Sequence, residues 1–401
     1  MLRRVFKAFH YRDFRLLWFG ACTSSIGTWM QIVAQSWLVL EISHSPFLLG
    51  LDSFLGQIPI FLFSLVGGVI ADRIDRRRVL LGSQYIQMTC AFVLTGLIAL
   101  HVVQVWHILG LSFVVGCAQA FGGPAYQALV PMLVEKEDLP NAIALNSIQF
   151  NLARVIGPML GGFALTQLGA AWCFALNGLS FVAVIISLLV LSIKFVPQKT
   201  GESILTGVKQ GIGFIRNQAA MVSLIVLAFC MTALAIPLIT FLPVFAKNVF
   251  KSGPTTFTIL LSCSGAGSVV GALIVAALGN IRHKGRTALL MMLLLGAGIA
   301  GFALSKVLAL SCVLLFISGA ALMGVFSMIS SLVQLITANE MRGRVMSVYN
   351  VAFRGGMPFG SLATGWLVPM FTAPRVLAVN GLLLVALGSY FLLVHRRVAA
   401  L

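Results

Sequence analysis

The sequence predicts an all-α membrane protein of twelve transmembrane helices, arranged as two pseudo-symmetric halves of six. Three observations carry this expectation. Of 401 residues, 59% are apolar and only 9% are charged, against about 25% charged in an ordinary soluble domain, so the polar groups needed to cover a water-soluble globule are missing. Mean hydropathy is +1.02. Apolar runs bounded by charge, proline or glycine clusters recur twelve times, each close to the ~20 residues that cross a bilayer.

The elements follow in order from where the charges fall. A basic, aromatic arm (MLRRVFKAFHYRDFRLLWFG) runs into the first span, 16–41, with no A-x-A-like cleavage site, as expected for a retained span rather than a removed signal. Spans 47–71 and 79–100 flank a loop holding Arg73, Arg76, Arg77 and Arg78, and a short loop with His101 and His107 leads to 106–130. Lys136 precedes 141–168, and 171–195 completes the first six. The second six cover 218–245, 255–279, 287–305, 308–336, 343–370 and 375–395. Alternate loops and the two tails hold 21 of the 27 lysines and arginines, the opposite loops hold four, and Arg154 and Arg354 fall inside spans. By the positive-inside rule both termini are cytoplasmic. The formal net charge of +17 therefore reports topology in a cell membrane, and no nucleic-acid partner is implied.

The longest stretch of weak hydropathy, 196–217, separates an N-terminal half (1–195) from a C-terminal half (218–401) and carries a weakly amphipathic segment with Lys209 and Arg216 on its polar side. Such a connector is expected to lie along the membrane surface. Aligned at an offset of 200 residues, the fifth span (NSIQFNLARVIGPMLGG) places Arg154 on Arg354 and Pro158 on Pro358 of the eleventh (VYNVAFRGGMPFGSLAT). Both are expensive residue types in a membrane helix, so the coincidence points to a duplicated six-helix unit. The seven cysteines stand singly in apolar runs without a C-x-x-C pair, so neither a disulfide framework nor a metal site is expected.

Catalytic signatures are missing: there is no G-x-S-x-G, H-E-x-x-H, Walker loop or dinucleotide fingerprint. An enzyme is not expected, and no cofactor is called for. Function then rests on polar groups inside the bilayer, where each ionisable side chain costs several kcal/mol. The loop after the second span reads Gly68-Val-Ile-Ala-Asp72-Arg73-Ile-Asp75-Arg76-Arg77-Arg78. A small residue at Gly68 permits close helix approach, Asp72 ends the helix as an anion, and the arginines suit anionic headgroups. This loop resembles the G-x-x-x-D-R-x-G-R-R motif of the major facilitator superfamily, with Asp75 where a glycine usually stands. The resemblance implies the major facilitator fold and a role for Asp72 as a cytoplasmic latch against the N-terminus of the eleventh helix.

The fifth span carries Gly157-Pro158-Met159-Leu160-Gly161-Gly162, similar to the G-P-x-x-G-G antiporter motif of facilitator exporters. Ala153, Gly157 and Gly161 leave one face nearly bare for tight packing, and Pro158 removes a backbone bond. Further segments, among them Phe14-Arg15-Leu16-Leu17-Trp18, LPNAIALNSIQFNLARVIGP and Arg342-Gly343-Arg344-Val345-Met346-Ser347, resemble the branch of macrolide-efflux and enterobactin-exporter proteins. That likeness covers nearly the whole chain. It implies proton-driven export of a bulky, partly apolar small molecule such as a drug or siderophore, with the proton gradient as the energy source. A lipid or lysolipid flippase on the same fold, or a transport-dead membrane sensor, are the alternatives. The oligomeric state is left open, a monomer being compatible.

The arginine that many such antiporters carry in the fourth helix is replaced by Gly116, so coupling is expected elsewhere. Asp52 lies six residues into the second span, about 9 Å along its axis, too deep for a cap and desolvated enough to exchange a proton. Glu41, at the outer end of the first span, is the second candidate. Arg154 and Arg354 are expected either to make gate contacts with Asp72 and the Glu135, Glu137 and Asp138 cluster, to bind an anionic part of the cargo, or to snorkel to the inner interface. Ser24, Thr28, Gln31 and Gln35 form a polar stripe on the first span, which in lipid must face protein or water. Gln119, Tyr126, Asn146, Gln149, Ser327, Ser330 and Gln334 are candidates to complete a cavity with it, or else to make interhelical hydrogen bonds.

Overall fold

A computed structural model describes residues 6–192, 204–278, 283–338 and 340–401, with the side chains of 65–66, 68–73, 204–208 and 278 outside that description. The fold is all-helical, and the helices fall on the predicted spans. The first six are α1 (Arg12–Ser43), α2 (Pro46–Arg73), α3 (Arg76–Ala99), α4 (Val105–Leu129), α5 (Leu139–Gln167) and α6 (Ala170–Val190). The rest are α7 (Ala219–Thr240), α8 (Pro254–Leu278), α9 (Lys284–Leu304), α10 (Leu308–Ile336), α11 (Arg342–Phe371) and α12 (Ala373–Leu393). A connector helix, Ile204–Arg216, precedes α7.

Among the described residues nine helices are long and apolar enough to cross a membrane. The other three long helices, α1, α5 and α11, have 32, 29 and 30 residues. Length suffices in each; composition sets them apart, because they hold the polar stripe, the glycine-proline segments and both intramembrane arginines. In a bilayer such a helix must turn its polar side toward other helices or enclosed water. Pro237 in the last turn of α7 and Pro243 just past it withhold backbone donors, and the chain passes through a short helical turn into a π-helical turn at Phe245–Val249.

By contacts the chain divides into two compact units, Met1–Ile42 with Ile58–Gly201, and Ser43–Gln57 with Glu202–Leu401. The first turns of α2 thus cluster with the second unit: Gly50 meets the Ser361 and Gly365 backbone of α11, and Ser53 Oγ donates to Ser361 Oγ at 3.2 Å. Each unit repeats the same crossings. α3 packs on α4 and α6, as α9 packs on α10 and α12. Gly67 of α2 meets Ala120 of α4, and at the 200-residue offset Gly267 and Gly271 of α8 meet Phe316 and Ala320 of α10.

A close seam of the first unit joins α1 to α5. A Cβ at Gly157 would press on Trp29 and lie 2.9 Å from the Ile26 carbonyl oxygen, and one at Gly161 would lie 3.0 Å from the Met30 Cα. Bare backbone at these two positions, with Ala153 one turn earlier, is what lets the helices touch; Gly356 and Gly360 of α11 meet Thr232 and Ala233 of α7 in the same way. Gly157→Val is expected to cost about 1–3 kcal/mol by overpacking, seen as a lower thermal midpoint in detergent. Gly82→Ala on α3, where an added Cβ meets nothing within 4 Å, is expected to leave that midpoint unchanged.

Candidate functional site

The first unit holds an open cavity of about 230 Å³ lined from five helices. α1 contributes Ser24, Ser25, Thr28 and Trp29; α3 Gln84 and Gln87; α4 Gln119 and Tyr126; α5 Gln149 and Phe150; α6 Phe181. Its polar groups are uncharged and linked. Gln119 Nε2 donates to Gln87 Oε1 at 3.1 Å, Gln87 Nε2 donates to Ser83 Oγ at 3.1 Å, and Ser83 Oγ donates to the Ala118 carbonyl at 2.7 Å. Gln149 Nε2 ties α5 to α1 through Ser25 Oγ at 2.8 Å and the Ala21 carbonyl at 3.2 Å. Tyr126 donates to Asn146 Oδ1 at 3.2 Å. Gln84 Oε1 is buried without a hydrogen-bond partner, leaving an acceptor on the wall.

The predicted stripe of α1 divides between two tasks. Ser24 and Thr28 line the cavity, whereas Gln31 accepts from Asn177 Nδ2 of α6 at 2.5 Å and Gln35 Nε2 donates to Ser112 Oγ of α4 at 2.9 Å. The second unit has its own cavity of about 450 Å³, with Ser327, Ser330 and Gln334 on its wall beside Phe326 and Arg342. The candidates therefore divide between two cavities, one within each unit, except Gln31, Gln35 and Asn146, which make interhelical hydrogen bonds. Asn177, which stands alone in an apolar run, escaped sequence reasoning, as did Gln84 and Gln87, although their i,i+3 spacing on α3 beside Ser83 was a signal that could have found them.

The loop between α2 and α3 is a capping device. Asp75 is the N-cap of α3, its side chain accepting from the Arg77 N–H at 3.0 Å, so the residue that departs from the family pattern satisfies an otherwise free helix donor. Arg76 donates to the Ala128 carbonyl of α4 at 3.0 Å, and Arg77 to the Leu191 and Leu189 carbonyls of α6 at 3.1 and 2.5 Å. Two cations thus occupy two helix C-termini, where unpaired carbonyls and the macrodipole favour positive charge. This corrects the expectation that they reach toward headgroups; Arg78, 84% exposed, pairs with Asp75 at 3.8 Å. Gly68, Asp72 and Arg73 belong to the end of α2 and lie outside the residues whose side chains are described.

Asp138 also differs from expectation. Rather than meeting an intramembrane arginine, it pairs with Lys7 at 2.7 Å and accepts from the Tyr11 hydroxyl at 3.0 Å, while Asn141 accepts from the Ala8 N–H at 2.9 Å. The N-terminal arm is thereby strapped to the start of α5, and Trp18 Nε1 adds a bond to the Leu145 carbonyl at 2.9 Å. Arg154 sits with its guanidinium 5.7 Å from the Trp29 ring centroid, whereas Arg354 is exposed. Pro158 and Gly162 are buried in α5. Asp52 is 8% exposed, between the two residues that meet α11, and Glu41 is exposed in the last turn of α1. His107 accepts from the Gln104 N–H at 3.1 Å and so caps α4.

Two helical units that repeat the same crossings, each with a cavity bearing uncharged polar side chains, are the architecture of a membrane transport protein. The chain belongs to the transmembrane secretion effector family of the major facilitator superfamily, whose profile matches residues 5–400. It is 23% identical over 382 residues to the staphyloferrin A transporter of Staphylococcus aureus (strain NCTC 8325 / PS 47), covering 93% of this chain and 94% of that one. It is 27% identical over 399 residues to the enterobactin exporter EntS of Shigella boydii serotype 4 (strain Sb227), covering 95% and 91%. The fold is similar to that of the nucleoside transporter NupG, with a TM-score of 0.72 at 15% identity over 95% of this chain and 98% of that one. A bacterial homologue of the human lysosomal transporter Spinster gives 0.75 at 14% identity over 96% and 97%.

The strap carries a pH signature outside the membrane-spanning segments. The bond to Lys7 holds the Asp138 carboxyl below its ordinary 3.8, helped by Tyr11 and opposed by burial, and the same bond raises the Lys7 amine above its ordinary 10.5. A depressed acid stabilises above its unfolded value and loses that contribution as pH falls through the folded one; a raised amine does the reverse on the alkaline side. The coupling between Lys7→Met and Asp138→Asn in thermal midpoint is expected to be constant from about pH 5 to 9 and to fade below pH 3.8.

Proposed function

We propose that this protein is a secondary active exporter of an amphiphilic small molecule such as a siderophore. The observation that carries this reading is the full-length similarity to two siderophore carriers, each matched over more than nine-tenths of both chains. The polar, uncharged cavity among α1, α3, α4, α5 and α6 supports it, because a carrier must offer its cargo hydrogen-bonding surface away from lipid. On this reading the halves 1–195 and 218–401, joined by the connector 196–217, alternate between inward-open and outward-open states in the cell membrane, with both termini cytoplasmic as the basic loops imply.

The energy source is the proton gradient, exchanged for cargo, with no bound cofactor and no catalytic step. Asp52 is the coupling acid on this proposal. It is a buried carboxylate within a membrane helix, the kind of group whose protonation can bias a conformational equilibrium. Gly157, Pro158, Gly161 and Gly162 serve the exporter by keeping α1 and α5 in contact through the cycle. The test is transport by the purified protein in proteoliposomes under an imposed pH gradient, with catecholate and carboxylate siderophores and lipophilic drugs as cargo. Gradient-dependent movement of at least one class is expected, and Asp52→Asn is expected to abolish it while leaving cargo binding intact. Movement of every cargo at the same rate with and without the gradient refutes the antiporter.

A further inference from the structure

Arg154 is the fifteenth residue beyond Leu139 in the 29-residue α5, so its Cα lies about 22 Å along the axis from the start of that helix and about 20 Å from its end. A side chain at that depth is too far from either interface to place its charge in bulk water. Charge at mid-span is costly and needs a counter-charge, an aromatic face or enclosed water. The described carboxylates of its own unit do not supply the first. Asp13, Glu41, Asp72, Asp75, Glu135, Glu137 and Asp138 all stand at or beyond helix ends, and Asp138 is engaged by Lys7. Among the described residues the partner of the guanidinium is the Trp29 ring, 5.7 Å from its centroid.

That position is joined to the cavity. Trp29 is on the cavity wall, and so is Phe150, which precedes Arg154 by one helical turn on the same face of α5. Beyond them the wall mixes glutamine, serine, threonine and tyrosine with apolar Leu80, Phe181 and Val184, and carries no charge. The arrangement is an uncharged, aromatic-lined chamber with one guanidinium at its margin, half-buried and held by a ring that leaves its N–H fork unspent. A guanidinium so placed matches a planar carboxylate by two parallel hydrogen bonds, and a cation–π contact fixes it without neutralising it.

We propose that Arg154 and Trp29 form an anion subsite of the first-unit cavity, which selects an aromatic organic anion. The carboxylate of that anion meets the Arg154 fork and its ring enters between Trp29 and Phe150. This rests on the exporter reading only in taking the cavity as a cargo site. The test is binding in phosphatidylcholine nanodiscs, which supply no anionic lipid, using 1-naphthoate and its neutral isostere 1-naphthamide and titration calorimetry. The intact protein is expected to bind the naphthoate at least about tenfold more tightly than the amide, as one charged bidentate pair supplies. Arg154→Gln is expected to equalise the two by weakening the naphthoate alone, and Arg154→Lys to restore part of the preference. Equal binding of both probes to the intact protein, binding of neither, or a preference that survives Arg154→Gln overturns the proposal. Where Arg154→Gln fails to fold, Arg154→Lys carries the test: a naphthoate preference as large as that of the intact protein overturns the proposal. Failure of gradient-driven transport with the preference intact refutes the antiporter and leaves the subsite standing.

Discussion

Inside a bilayer no water is at hand to complete a hydrogen bond, and the structure is organised around that lack. A helix satisfies its own backbone except at its ends, so the ends and the polar side chains must find partners within the protein. Arg76 and Arg77 show the solution at the ends: cations from the start of α3 lie on the carbonyls that close α4 and α6. One short basic segment thereby pins three helices. Asp75 completes it by capping the helix that carries both arginines.

The same constraint shapes the interior. Because lipid is as apolar as leucine, helices associate by close packing and hydrogen bonds more than by hydrophobic exclusion. On α5 both devices sit side by side. One face is stripped to Ala153, Gly157 and Gly161 and lies on α1, with Gln149 on that face bonded to the α1 backbone and to Ser25. The neighbouring face carries Phe150 and Arg154 toward the cavity margin. A single helix therefore holds its neighbour and shapes a cavity wall, which accounts for its low hydropathy and that of α1.

Much of this was legible in the sequence. Spans, loops and connector could be drawn because apolar length and basic loops are local signals, and the 200-residue offset that paired Arg154 with Arg354 recurs in the matched Gly67 and Gly267 crossings. Ser24, Thr28, Gln119, Tyr126 and Gln149 do reach one cavity. Gln31 and Gln35 share the stripe's spacing with Ser24 and Thr28 but bond to Asn177 and Ser112 instead, since helical spacing places residues on a face and says nothing of what that face meets. Asp138 was grouped with intramembrane arginines by charge sign alone, whereas Lys7, more than half exposed and over a hundred residues earlier, is its partner.

Hydropathy and charge order alone settled how many helices there are, which are polar, and which loops are basic, because the cost of placing a residue in lipid depends on that residue and its near neighbours. Which polar groups share a chamber, which arginine closes which helix, and which ring lies under Arg154 were decided only by helix assembly. Those pairings join positions as far apart in the chain as Ser24 and Phe181 or Trp29 and Arg154, and local composition carries no record of the distances between helices that meet in space.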